Sequence, residues 1–234
     1  MAGAPHNACH SSPRRGRAPP VPEFRALLDG YRRFRLGPYR AERERWDRLA
    51  QGQNPPVMVI ACSDSRVDPT RVFDSGPGEM FVLRNIANLV PPVSEIVGQS
   101  SVAAALEYAV TALKVHQIVV FGHARCGGIA AALAGEFDTD AAGAHVRRWM
   151  EVIAPARAVV RAAQAVSPDI DPQRALEQAS IRLSLDRLRS YDFIAAAEAA
   201  GELKLQGVVF DIADGSLRVL NHDSGVFEAV PVEL

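Results

Sequence analysis

Lysine is almost missing from this chain: of 26 basic residues only Lys114 and Lys204 are lysines, and arginine supplies the rest. The bias reads as genome composition and points to no chemistry. An excess of charge of either sign is also missing. The formal net charge of −1 gives no footing for nucleic acid or an anionic membrane surface as the main partner. Cysteine is scarce, with only Cys9, Cys62 and Cys126. An odd, sparse count excludes a closed disulfide framework. It suits a reducing compartment, where a Cys near a His is more often a metal ligand or a nucleophile. No apolar run approaches the ~20 residues that a membrane span needs. Acidic residues are absent from 1–22, where Arg14, Arg15 and Arg17 stand with no apolar stretch behind them. That pattern speaks against a secretory or twin-arginine signal. An organelle transit peptide is the competing reading, weakened by the proline content, and a cytoplasmic location is expected.

What is present suffices for one large domain with decorations. The chain has 234 residues, 48% of them hydrophobic. Residues 1–21 carry Pro, Arg, Ser and His without periodicity and read as a disordered arm that includes Cys9 and His10. Residues 22–52 read as helical, with Phe24, Leu27, Leu28 and Tyr31 at helical spacing and a break at Gly37-Pro38. They have few partners in sequence and are expected to clasp a second subunit. The catalytic domain is expected over 53–234. Its first strand, 57–61 (VMVIA), is a short apolar run of the kind buried on both faces of a parallel sheet. Further strands are expected over 80–83, 117–121 and 205–212, with a hairpin return at 217–220 after the Asp214-Gly215 turn. Helices are expected over 96–113, from Ile129, and through most of 141–200 with an interruption at Ser167-Pro168. Strands alternating with helices predict an α/β domain with a mostly parallel central sheet flanked by helices.

Two motifs fall at the carboxyl ends of predicted strands: Cys62-Ser63-Asp64-Ser65-Arg66, and Gly122-His123-Ala124-Arg125-Cys126-Gly127-Gly128. Ligands gather outside such strand ends in open α/β sheets. If the two strands are neighbours, Cys62 meets His123 and Cys126 there. A Cys–Cys–His set suits Zn²⁺, and three protein ligands leave one position open, as in catalytic rather than structural zinc sites. Asp64 is the only near competitor for that position. The plainer readings are a buried Cys acting as a small hydrophobe or a Cys–His pair acting as nucleophile and base. The joint occurrence at two strand ends, with flanking glycines, outweighs both.

Together with Arg84-Asn85-Ile86-Ala87-Asn88 between them, these motifs resemble the β-class carbonic anhydrases, most closely the plant-like branch. The resemblance runs from about Gln53 to Ile212 and includes Pro77-Gly78-Glu79, Leu106-Glu107-Tyr108-Ala109-Val110, Ser184-Leu185 and Leu203-Lys204-Leu205-Gln206-Gly207. It implies the family fold, helical arms around a second protomer, and a homodimer or higher even oligomer. It implies reversible hydration of carbon dioxide to bicarbonate by a water on one zinc per chain. The ligands it implies are Cys62, His123 and Cys126, with Asp64 and Arg66 as the catalytic pair. Gln53, Phe81, Ile86, Tyr108 and Gly127 fall where substrate-pocket residues are expected, some of them reaching in from the partner subunit. Two thiolates cancel the charge of the ion, so it should acidify water less and activity should favour alkaline pH. Asp64 can accept a hydrogen bond from the nucleophile, and Arg66 keeps Asp64 ionised and off the metal.

Three positions depart from the family. Val59 stands where members that bind inhibitory bicarbonate carry Trp. Ala112 stands where plant members carry a His proposed to shuttle protons, and Ala124-Arg125 replaces the commoner Ser-X. Rival readings are a carbon disulfide or carbonyl sulfide hydrolase of the same fold and a non-catalytic zinc-binding regulator. The regulator would have been favoured by loss of Asp64 or Arg66, and both are present. A thiol-dependent hydrolase is a more distant third.

Overall fold

The computed structural model describes residues 24–95, 99–139 and 143–232. The expected disordered arm over 1–21, with Cys9 and His10, lies outside the described residues. The chain divides into two compact units, with the boundary between Gly52 and Gln53.

In the first unit the helical expectation holds. Helix α1 spans Phe24–Leu36, α2 Pro38–Ala41 and α3 Arg43–Leu49. Proline at the first helical position of α2 carries no N–H to strand, so Gly37-Pro38 ends one helix and opens the next. Phe34, Tyr39 and Trp46 pack their rings within 5.5–5.9 Å of one another. No residue of α1 is buried, and Phe24, Leu27, Tyr31 and Leu36 are all more than half exposed.

The second unit is a six-stranded mixed sheet with flanking helices. Its strands are β1 Val57–Cys62, β2 Met80–Asn85, β3 Gln117–His123, β4 Lys204–Phe210, β5 Leu217–Leu220 and β6 Phe227–Ala229. The order is β2-β1-β3-β4-β5-β6, parallel through β4 and antiparallel beyond it. The helices are α4 Pro69–Val72, α5 Ser101–Glu107, α6 Gly127–Ala134, α7 Ala144–Glu151, α8 Ala154–Val166, α9 Pro172–Leu188 and α10 Asp192–Ala199. Helix α5 runs on into a π-helical turn over Tyr108–Ala112. The predicted helix over 96–113 thus begins at Ser101 among described residues, where the Ser100 hydroxyl accepts from the Ala103 N–H and caps it. Strand β3 continues two residues past its predicted end, because Gly122 and His123 still pair with β4. Strand β6 carries no strong alternation in sequence and was not expected.

Alternate residues of each parallel strand feed opposite cores. Met58, Ile60, Ile118 and Val120 lie on one side with α9, while Val59, Ala61, Phe121 and Val208 lie on the other. The uninterrupted apolar runs of β1 and β3 follow from burial on both faces. Helix α9 approaches the sheet closely because β3 and β4 present glycine beneath it. A Cβ at Gly122 would lie 2.6 Å from Ile181 Cδ1, and one at Gly207 2.7 Å from Ile181 Cγ2.

Candidate metal centre

The connection leaving β1 goes to β2 on one side, while β3 lies on the other, so the strand order switches direction between β1 and β3. A crevice opens at the carboxyl end of an open sheet at such a point. Cys62 ends β1, His123 ends β3 and Cys126 is the N-cap of α6, so three donors meet in that crevice. One ligand atom from each lies within 4.8 Å of the others, and all three residues are buried. Cys62 Sγ and Cys126 Sγ stand 4.0 Å apart. The chain reverses between His123 and Cys126 through Arg125, a non-glycine residue at φ 58°. That left-handed residue turns a two-residue spacing into convergence on one point.

Metal fit can be tested on a single atom. His123 Nδ1 donates to the Ala124 carbonyl oxygen at 3.0 Å, so the lone pair sits on Nε2. Nε2 is buried and has no hydrogen-bond partner among the described residues. A buried imidazole nitrogen without a hydrogen-bond partner, facing two thiols, fits the role of a metal ligand. Two sulfurs and one imidazole suit zinc. The Cys126 hydrogen bond, with help from His123, holds the Cys62 thiol below its ordinary range against the effect of burial. The same contact and burial push Cys126 up. Burial lowers the affinity of His123 for a proton, yet the neighbouring Cys62 leaves it raised overall. A zinc ion held by these residues would displace the protons, since thiolates and neutral imidazole are the ligating forms.

Asp64 and Arg66 lie beside the donors. Arg66 Nε donates to Asp64 Oδ1 at 2.9 Å and Arg66 Nη2 to Oδ2 at 2.6 Å, a bidentate grip reinforced by the Arg66 N–H on Oδ1 at 3.0 Å. The guanidinium holds the Asp64 carboxyl well below the usual carboxylate range. Asp64 Oδ2 lies 3.9 Å from His123 Nε2. The loop after β1 is held by Arg84, which donates to the carbonyl oxygens of Cys62, Asp64 and Val67 at 2.7–2.9 Å.

Of the expected pocket residues, Ile86 and Gly127 lie at this crevice: Gly127 opens α6 and a Cβ at the adjacent Gly128 would meet Ile86 Cγ2 at 3.1 Å. The other three lie elsewhere in the chain. Phe81 pairs with Met58 while Asn85 pairs with Cys62. That puts Phe81 about 13 Å along β2 from the ligand end, at roughly 3.3 Å per residue. Its ring sits 6.0 Å from that of Tyr108. Gln53 precedes β1, at the far end of the strand from Cys62. Two contributors were not expected. Trp149 Nε1 donates to the Ile86 carbonyl oxygen at 2.9 Å. Glu177, only 4% exposed, accepts the Cys126 N–H at 3.0 Å, and burial raises its pKa. A carboxylate on the buried stripe that includes Ser180, Ile181 and Ser184 was the available signal for Glu177.

Comparison with known proteins gives a consistent result. Residues 57–217 match the carbonic anhydrase family model. The chain is 38% identical over 185 residues to β carbonic anhydrase 6, mitochondrial, of Arabidopsis thaliana, an alignment covering 79% of this chain and 63% of that protein. Among solved structures, the β-carbonic anhydrase CcaA superposes with a TM-score of 0.81 at 30% identity, covering 88% of this chain and 99% of that one. A tetrameric β-carbonic anhydrase of Sordaria macrospora superposes with a TM-score of 0.74 at 30% identity, covering 85% and 96%.

Proposed function

This chain belongs to the β-class carbonic anhydrases, and from that membership we propose that it reversibly hydrates carbon dioxide to bicarbonate and a proton at one zinc per chain. The observation that carries the reading is the orphaned His123 Nε2 converging with two thiols beside a pinned Asp–Arg pair. Cys62, His123 and Cys126 would hold the zinc, which when bound supplies a Lewis acid that lowers the pKa of a water, behaviour for which carbonic anhydrases are themselves the reference case.

The remaining work falls to the chain's own side chains. Arg66 keeps Asp64 ionised, so its carboxylate stays a hydrogen-bond acceptor across the working pH range. Oδ2, the oxygen nearer His123, accepts from the attacking water and aims its lone pair at the substrate carbon. The same grip would hold Asp64 back from a bound zinc, since releasing it would leave the Arg66 charge without its counter-ion. Ile86 gives carbon dioxide, small and apolar, a surface without competing hydrogen bonds.

The assembly belongs to the same proposal. Gln53, Phe81 and Tyr108 complete the pocket of a partner subunit: Phe81 stands back along β2 from the ligand end with the Tyr108 ring beside it, and Gln53 precedes β1. The exposed apolar residues of α1 make 22–52 the dimerising arm, with 53–234 as catalytic domain. A homodimer or even multiple results. A cytoplasmic location is part of the same proposal, supported by a site that needs two reduced thiols. No helix among the described residues is long and apolar enough to cross a membrane.

Stopped-flow carbon dioxide hydration, run with zinc quantification and with carbonyl sulfide as competing substrate, tests the reading. Wild-type protein is expected to carry near-stoichiometric zinc and prefer carbon dioxide, and Cys126→Ser to lose most of the metal and the activity. Full zinc content in Cys126→Ser would refute the ligand set. Preference for carbonyl sulfide would replace the substrate.

A further inference from the structure

One peptide group ties the metal ligands to the Asp64–Arg66 pair. The carbonyl of Arg125 and the N–H of Cys126 belong to the same planar unit. Its oxygen accepts from Arg66 Nη2 at 3.0 Å, and its N–H donates to Glu177 Oε1 at 3.0 Å. The plane is thus gripped from both edges. It needs the grip, because Arg125 sits at φ 58° and Cys126 is the N-cap of α6 at φ −67°, ψ 119°. Arg125 belongs to neither a helix nor a strand, and Cys126 joins α6 only through its carbonyl oxygen, which accepts from the Ala130 N–H at 3.0 Å and leaves its own N–H to other partners.

We propose that Glu177 is a positioning residue of the metal centre: by accepting the Cys126 N–H it fixes the plane that aims the Cys126 thiolate at the metal and offers the Arg125 carbonyl to Arg66. Three observations support this. Cys126 is 2% exposed, so its N–H has no water to turn to and must be paired within the protein. Glu177 lies on α9, the longest helix of the described residues, anchored by the buried Leu176, Ile181 and Leu185. Its position is therefore set by the core rather than by the ligand loop. The accepting oxygen is itself aimed: Gln173, one turn earlier on α9, donates Nε2 to Oε1 at 3.1 Å. Groups that orient metal ligands from behind are worth about 10–100-fold in metal affinity or activity.

The inference rests on zinc binding at Cys62, His123 and Cys126, and its test separates the two. Full-length Glu177→Leu, Glu177→Asp and Glu177→Gln are compared for zinc affinity by chelator competition, for the thiolate-to-metal absorption band of the cobalt-substituted protein, and for fold by circular dichroism. Glu177→Gln keeps a carbonyl oxygen at the same reach, and that oxygen can still accept from both the Cys126 N–H and Gln173 Nε2. It is expected to bind zinc as the wild type does. Glu177→Asp keeps the charge but withdraws the acceptor by one methylene. It is expected to fold, to weaken zinc binding about 10–100-fold, and to shift the cobalt band. Glu177→Leu is expected to do the same. A folded Glu177→Asp or Glu177→Leu with wild-type zinc affinity and an unchanged cobalt band would overturn the proposal. So would Glu177→Gln failing where Glu177→Asp succeeds, since charge rather than reach would then be what matters. A wild-type chain that binds zinc but hydrates no carbon dioxide would sink only the proposed function. One that takes up no zinc would sink both.

Discussion

The Arg66 guanidinium closes on the Asp64 carboxylate through two side-chain hydrogen bonds of 2.6 and 2.9 Å, and its Nη2 also reaches the carbonyl of Arg125. Arg66→Ala should therefore act mainly on Asp64, because Glu177 still holds the Arg125–Cys126 peptide from its other edge. Zinc content is expected to stay near wild type while kcat/KM falls by about 10²-fold or more, the scale of losing a group that positions a proton acceptor. Arg66→Lys should recover little, because an ammonium cannot reproduce the two-pronged contact. Metal analysis beside stopped-flow kinetics checks this. Wild-type activity in Arg66→Ala would show that the grip is only structural.

The δ-methyl of Ile181 fills the place that a side chain at Gly122 would take, 2.6 Å from the Cβ position. Gly122→Ala should cost about 1–3 kcal/mol through overpacking. Ile181→Val should cost about 0.5–1.5 kcal/mol by itself. Since valine lacks the clashing methyl, the two changes should be less than additive. Urea unfolding of the four proteins measures the coupling, expected at about 0.5–3 kcal/mol for residues in contact. Strict additivity would mean that α9 moves away from the sheet instead.

Helix α1 exposes Leu27 and Tyr31, at 60% and 58%. If this face clasps a second subunit, Leu27→Asp with Tyr31→Asp should dissociate the dimer and abolish activity while zinc stays bound. Light scattering coupled to size exclusion, with metal analysis, reads all three. A double variant that remains dimeric and active would reassign the arm.

Tyr191 is 2% exposed, and its hydroxyl donates to the Pro91 carbonyl oxygen at 2.9 Å. Burial pushes its pKa up to about 12. A phenol raised above its unfolded value of about 10 is stabilised in its neutral form. That contribution is complete below pH about 10 and is lost as pH rises toward about 12. Tyr191→Phe should cost about 1 kcal/mol at neutral pH from the lost hydrogen bond. The gap between the two proteins should then narrow above pH 10. Urea midpoints measured from pH 7 to 11.5 check this, and a gap that widens with pH would contradict it.

Much of this architecture can be read along the chain. The apolar runs of β1 and β3, the Gly37-Pro38 break and the zinc-ligating residue types at two strand ends all act over a few residues, where periodicity and turn chemistry speak directly. Gly127 and Ile86 come to the crevice through those local motifs. Strand neighbours are a different matter. That β1 lies between β2 and β3 is a long-range pairing, and it alone brings Cys62 to His123. The left-handed turn at Arg125 carries no glycine to announce it, because contacts on both sides of its peptide hold it there. Glu177 reads in sequence as one more charged residue on a helix. Burial against the Cys126 amide makes it an anchor, since a polar group removed from water must find its partner in the fold. The distance of Phe81 and Tyr108 from their own ligand loop is likewise invisible in the motifs, for a β-strand carries neighbours in sequence steadily away from one another in space.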